Sequence, residues 1–236
     1  MAKTETSEPE ALTVLTSNSI RGVLAVLGPD FERRTGYALT ISYDPAQVML
    51  RRIAAGETGD VAILGTGAID TLAAEGKIDA GTRRTLARCG VGLAVRAGAP
   101  KPDVSTVDAL KKTLLETPSI IYTSEGASGI HFARVIEELG IADAVRAKAH
   151  RQTGGLVAER LAAGEVELAV QQIPELLAVS GVELVGPLPE PLQTRSVSTA
   201  ALFTGTRQRT AAQAFIDFLA TPDAARIFRQ KGHEPA

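Results

Sequence analysis

The chain has 236 residues, 44% of them hydrophobic and 22% charged, with a formal net charge of −2. That is enough apolar material for one large domain or two lobes, and it lacks the broad basic field that nucleic acid or an anionic lipid surface requires. Aromatic residues make up 4% with no Trp, Cys89 is the single cysteine, and His131, His150 and His233 are dispersed; base-stacking platforms, disulfides and His/Cys metal sets are therefore not expected, and no cofactor is implied.

The first residues, "MAKTETSEPEALTVL", are polar and acidic. They contain no basic-then-apolar leader and no run long enough to span a bilayer. Membrane insertion is not expected. As given, the chain is expected in the cytoplasm, or in the periplasm if a signal peptide has been removed.

Short apolar runs then alternate with helical patterns. A strand over 12–15 leads to a helix over 19–34, with Ile20, Val23, Leu24, Leu27 and Phe31 on one face and a kink expected at Gly28-Pro29. Strands at 39–43 and 61–64 alternate with helices at 46–55 and 68–74. The pattern continues through a strand at 92–95, a helix at 106–115, a strand at 119–122 and helices at 128–139 and 156–163. Strands at 168–170, 183–185 and 197–203 precede closing helices at 210–219 and 222–230. Such alternation predicts parallel α/β layers.

Two pairs of segments resemble each other. "TVLTSNSIRGVL" from Thr13 matches "IIYTSEGASGIHFARVI" from Ile120, each reading as strand, Thr-Ser, polar loop and helix. "RIAAGETGDVAIL" from Arg52 matches "RLAAGEVELAVQQ" from Arg160. Both pairs share an offset of about 107 residues, which predicts two similarly built lobes. Ligands bind beyond the carboxyl ends of strands in such sheets. The Thr16–Ser19 and Thr123–Ser128 loops would then face each other, with N–H groups and hydroxyls at helix starts suited to a small anion.

Individual residues keep two readings at this point. Ser128 is a helix cap or a ligand hydroxyl. His131 lies on a solvated face or leans over the ligand loop as a proton carrier. Gln171 and Gln172 interrupt an apolar strand end, and alternation lets at most one of them face the cleft. Glu125 is a surface charge or a general base, Tyr122 is the remaining proton carrier near the loop, and Cys89 is a small buried hydrophobe.

The strand-"TSNS"-helix order, "YDPAQVMLRRIAAGETGDVAIL", "GVGLAVRAGAPKPD", "GASGIHFARVIEELGI" and "GEVELAVQQIPELL" resemble the type II periplasmic-binding-protein family. The branch is that of the molybdate-binding proteins of ABC importers. The resemblance implies a two-lobed α/β fold with the ligand cleft between lobes. It implies lobe I from 1–87 plus 195–236 and lobe II from 88–194, with crossing strands near 88–95 and 183–199. It also carries ligand contacts onto Ser17, Asn18, Ser19, Gln47, Ser124, Ser128, Gly154, Gly155 and Gln171 or Gln172.

Two of these positions depart from the molybdate pattern. Gln47 stands where a hydroxyl is expected, and Gln171 or Gln172 where a phenol is expected. Amides suit a planar carboxylate better than a compact tetrahedral oxyanion, so the expected ligand is a di- or tricarboxylate, with an ABC permease as partner only if the chain is exported. The same branch is similar to bacterial aconitate isomerase. On that alternative the activity is an allylic proton shift carried by His131, Tyr122 or Glu125.

Overall fold

The computed structural model describes residues 11–236. In chain order the elements are β1 (Leu12–Ser17), α1 (Arg21–Thr35), β2 (Leu39–Asp44), α2 (Ala46–Ala54), β3 (Val61–Gly65), α3 (Thr66–Ala74) and β4 (Arg84–Arg96). Then come α4 (Val107–Glu116), β5 (Ile120–Thr123), α5 (Ala127–Glu138), α6 (Ala142–Arg146), β6 (Ala149–Gln152), α7 (Ala158–Ala162) and β7 (Leu168–Gln172). The chain closes with α8 (Ile173–Leu177), β8 (Val182–Pro187), β9 (Arg195–Leu202), α9 (Arg209–Leu219), α10 (Pro222–Gln230) and β10 (Glu234–Pro235).

The strands form two lobes with the same local order. In the first, β1 lies parallel between β2 and β3, and β9 runs antiparallel beside β3. In the second, β5 lies parallel between β6 and β7, and β4 runs antiparallel beside β7. This is the internal repeat expected from the matched segments: β1 corresponds to β5 and β3 to β7.

Each sheet is covered on both faces, which is why β3 and β7 are buried along nearly their whole length. On one face of the first lobe Val23, Leu24 and Phe31 of α1 pack with Phe215 of α9 and Phe228 of α10. Met49 and Ile53 of α2 and Ile69 and Leu72 of α3 cover the other. In the second lobe Leu110, Phe132 and Ile136 lie on one side, and Val157, Leu161 and Leu176 on the other.

The lobes are joined through β4. Its residues Arg84 to Gly90 pair with β9, while Val91 to Arg96 pair with β7 and β8. Only 92–95 of this strand is legible from periodicity, because the register shifts between Thr85 and Ala87 and breaks the alternation. The return crossing is made of two strands, β8 and β9, separated by a 3-10 turn at Glu190–Leu192.

Several local expectations change. Asn18–Ile20 is a 3-10 turn, so α1 starts at Arg21, and it runs on as one helix with Pro29 inside it. β6, α6 and β10 have no sequence signature, and that of α8 is Pro174 alone. β6 is a four-residue edge strand with no fully buried residue, and α6 and α8 have five residues each, too few for a helical period.

Candidate anion site between the lobes

The strand ends that the repeat aligns meet at one cavity of about 60 Å³. Ser17 closes β1, Gly65 closes β3, Thr123 closes β5, Gln171 and Gln172 close β7, and Ser196 and Ser198 of β9 complete the wall. The position beyond the carboxyl ends of parallel strands is where such sheets bind ligands.

Five helical starts border the cavity: the turn at Asn18–Ile20 and the starts of α2, α3, α5 and α8. None of them has a side-chain cap. α4 and α10 begin elsewhere, and Thr106 and Thr221 cap them. The first N–H groups of an uncapped helix have no intrahelical partner and carry the positive end of its dipole. Their convergence makes an anion-binding environment without a formal positive charge.

The approach of α5 to β5 depends on glycine. A Cβ on Gly129 would sit 1.7 Å from the Thr123 carbonyl oxygen, and one on Gly126 would sit 2.4 Å from Thr123 Oγ1. The helix is thereby pressed against the strand end. Gly126, not Ser128, is its N-cap; Ser128 lies buried inside the first turn and lines the cavity.

Ser17 Oγ and Ser19 Oγ lie 3.0 Å apart. Asn18 Oδ1 and Thr123 Oγ1 are buried without a hydrogen-bond partner among the described residues, and both residues line the cavity. Buried polar atoms are normally paired, and these two face the cavity, where a partner can reach them.

Both glutamines face the cleft, although strand alternation allows only one to do so. The strand ends at Gln172, which is already the N-cap of α8. Their amides are occupied by the protein. Gln171 Oε1 accepts from Val157 N–H at 3.0 Å and its Nε2 donates to Gly155 O at 3.0 Å. Gln172 Nε2 donates to Ser196 Oγ at 2.9 Å. The two amides hold the Gly155 loop and β9 in place.

No Lys, Arg or His is among the residues lining the cavity. Arg21 lies with its guanidinium 4.3 Å from the Tyr43 ring centre. The lining's one ionisable group is Glu175 of α8, which is 8% exposed. Burial pushes its carboxyl up to about 8, against the smaller lowering effects of the Gln172 N–H, the Gln171 amide and Arg21. Burial therefore favours the neutral form of Glu175.

Of the residues singled out from the sequence, Ser17, Asn18, Ser19, Ser128, Gly155, Gln171 and Gln172 meet at this cavity. Gln47 is exposed, one residue beyond the lining Ala46. Ser124 is tied to β6, its N–H donating to Gln152 O at 2.8 Å. Gly154 lies on the rim against Pro45 of the facing lobe.

The three proton-carrier candidates lie off the lining. Tyr122 is in the lobe core, edge-on to Phe132 with ring centres 5.1 Å apart. His131 has Nε2 2.7 Å from Leu192 O. Glu125 is paired with Arg51 of the facing lobe. Cys89 is buried, and desolvation raises its thiol pKa. Sequence reasoning missed Glu175, though Pro174 directly after a strand end marks a helix start and places Glu175 in its first turn. Gly65, Ser196 and Ser198 carried no local signal.

Two α/β lobes around a cleft of helix starts and hydroxyls define a solute-binding protein of the type II periplasmic kind. The chain belongs to this family: the model of the bacterial extracellular solute-binding proteins matches residues 12–234. It is 34% identical over 230 residues to an aconitate isomerase of Pseudomonas sp, covering 95% of this chain and 87% of that protein. The periplasmic molybdate-binding protein of Azotobacter vinelandii superposes with a TM-score of 0.79 at 20% identity, covering 94% of this chain and 98% of that one. The sulfate-binding protein SubI of Mycobacterium tuberculosis H37Rv superposes with a TM-score of 0.75 at 20% identity, covering 96% and 87%. No helix among the described residues is long and apolar enough to cross a membrane.

Proposed function

We propose that the cleft binds a small carboxylate anion of the aconitate kind. The observation that carries this reading is the pair of unpartnered buried atoms, Asn18 Oδ1 and Thr123 Oγ1, on a wall otherwise made of uncapped helix starts. A neutral Glu175 adds an O–H donor to the Thr123 hydroxyl and the helix-start N–H groups, while Asn18 Oδ1 accepts only from a protonated group of the ligand. The 34% identity to an aconitate isomerase supports the same ligand class. The amides of Gln171 and Gln172 add no support, because the protein already engages them.

Size limits the fit. At roughly 10–15 Å³ per water-sized group, a cavity of about 60 Å³ accommodates a compact anion. Thermal-shift and calorimetric titration with trans-aconitate, citrate and tricarballylate, against molybdate and sulfate, tests the reading. A ligand at a hundred times its Kd stabilises the fold by about 2.7 kcal/mol. Stabilisation by molybdate or sulfate with none from the carboxylates overturns it.

A second reading, isomerisation of the bound aconitate, is favoured by the same relative and by a titratable carboxyl in the cavity wall. The reaction breaks a methylene C–H bond whose electron pair becomes the new C=C bond. The electron pair of the old double bond takes a proton at the former vinyl carbon. A single carboxyl serves both ends of the shift only when it starts ionised: it takes the methylene proton and returns it to the former vinyl carbon. Trans-aconitate incubated with the protein in deuterated buffer and followed by NMR decides between binder and isomerase. Cis-aconitate, or deuterium in recovered substrate, establishes turnover; a bound but unchanged ligand establishes a binder.

A further inference from the structure

We propose that the anion occupies this cleft together with a proton held on Glu175, so that anion binding is proton-linked. The inference rests on the anion-binding reading of the cleft; a Glu175 that keeps its proton beside the anion is a hydrogen-bond donor and not the base of the second reading.

Glu175 lines the same cavity as Asn18, Thr123 and Ser128 and is 8% exposed. Among the described residues it forms no ion pair, and no basic side chain lines the cavity with it. An ionised Glu175 and a bound anion would lie in the same cavity, whose lining holds no basic side chain between them. Two like charges at such a separation, poorly solvated, are not both retained: one group keeps its proton. Retaining it on Glu175 turns a repelling neighbour into a donor, because a carboxyl O–H gives a charge-assisted hydrogen bond to an anionic oxygen.

The charged and titratable groups around α8 leave Glu175 as the one that titrates near neutral pH. Arg21 of α1 lowers it only weakly. Cys89 of β4 has its thiol raised by burial first and by the Glu175 charge second. His233 holds Nε2 3.0 Å from Ser19 O, and burial lowers it to about 4, so it is neutral throughout this range. Lys231 lies beside Gly22. Glu183 of β8 is paired with Lys101 at 3.0 Å, and Glu234 lies 3.5 Å from Arg195. Burial of the carboxyl between the lobes agrees with this picture, and a bound anion raises its pKa further.

Isothermal titration with trans-aconitate, and with sulfate as a compact anion holding no proton, tests the proposal. It is run from pH 6.5 to 9.5 at constant ionic strength, in buffers of differing ionisation enthalpy. Affinity is expected to be flat at the lower end and to fall about tenfold per pH unit once the free carboxyl ionises. About one proton is then taken up per anion bound at the upper end. Glu175→Gln, neutral at every pH, is expected to bind with a flat profile. Proton uptake by the unaltered protein keeps the test decisive if that variant does not fold. Binding with constant affinity across the range and no proton uptake overturns the proposal while leaving the anion reading intact. Absence of binding by these anions and by molybdate at every pH overturns the anion reading, and the proton linkage with it.

Discussion

Gly154 is where the two lobes touch at the rim, and an alanine there should act on closure alone. A Cβ at this position would lie 2.8 Å from Pro45 Cγ and 3.0 Å from Pro45 Cδ, inside the 3.4–4 Å of ordinary contact. Gly154 is not among the glycines with positive φ, unlike its neighbour Gly155 at 83°, so alanine brings no backbone strain of its own. The clash exists only when the lobes are together. Overpacking of this kind costs about 1–3 kcal/mol. Confined to the closed state, that corresponds to an affinity loss of about 5- to 150-fold. Calorimetry with whichever anion stabilises the unaltered protein measures the loss, and the melting temperature of the unliganded variant should stay near that of the unaltered protein. Affinity within twofold of the original, or a lowered melting temperature with unchanged affinity, refutes the reasoning: Gly154 would then meet Pro45 in the open form as well.

Four further outcomes follow from the same geometry. Arg51→Ala removes the ion pair with Glu125 across the cleft; its side chains are 61% and 32% exposed, so the loss is at most about 1 kcal/mol, visible as a small fall in affinity that disappears at high salt. Thr123→Val removes a hydroxyl with no partner in the fold; stability by urea unfolding should be unchanged or up to about 1 kcal/mol higher, while anion affinity falls about tenfold, and a loss of stability instead would mean that the hydroxyl is structural. Gly129→Ala forces a Cβ to 1.7 Å from the Thr123 carbonyl oxygen and should cost about 3 kcal/mol or more in urea unfolding, with affinity lost as α5 is displaced. Stability should also depend on pH: Glu175 keeps its proton in the fold up to about 8 while the unfolded group releases it near 4.5, so its contribution is lost as pH rises through that window. His233, lowered from 6.5 to about 4, works in the opposite sense up to 6.5. Between pH 6.5 and 8 the effect of Glu175 should lower the unfolding free energy by up to about 2 kcal/mol, a slope that Glu175→Gln removes.

What the sequence determines by itself is the lobe plan. The periodic helices and apolar strands, and the matched "TSNS" and "TSEGAS" segments, point to two parallel α/β units whose strand ends carry hydroxyl loops. Local chemistry specifies these features: a helical stripe, an apolar run and a Thr-Ser turn are readable in a few residues, and the fold keeps them. Ser17, Asn18, Ser19 and Ser128 reach the cleft for that reason. The departures are non-local. Ser128 is a cavity residue and not a cap, because glycines at 126 and 129 let α5 start earlier and press against Thr123. Gln171 and Gln172 look like ligand amides in the sequence, but the loop at Gly155 and Ser196 of β9 claim them. Only the tertiary structure puts Glu175, a carboxyl on a five-residue helix with no periodicity of its own, into a cavity without a basic side chain. The protonation state of such a group depends on the solvent and charges removed around it, and those are set by strands far apart in the chain. A sequence records which residues can ionise, whereas the packing of the two lobes decides which of them keeps its proton beside an anion.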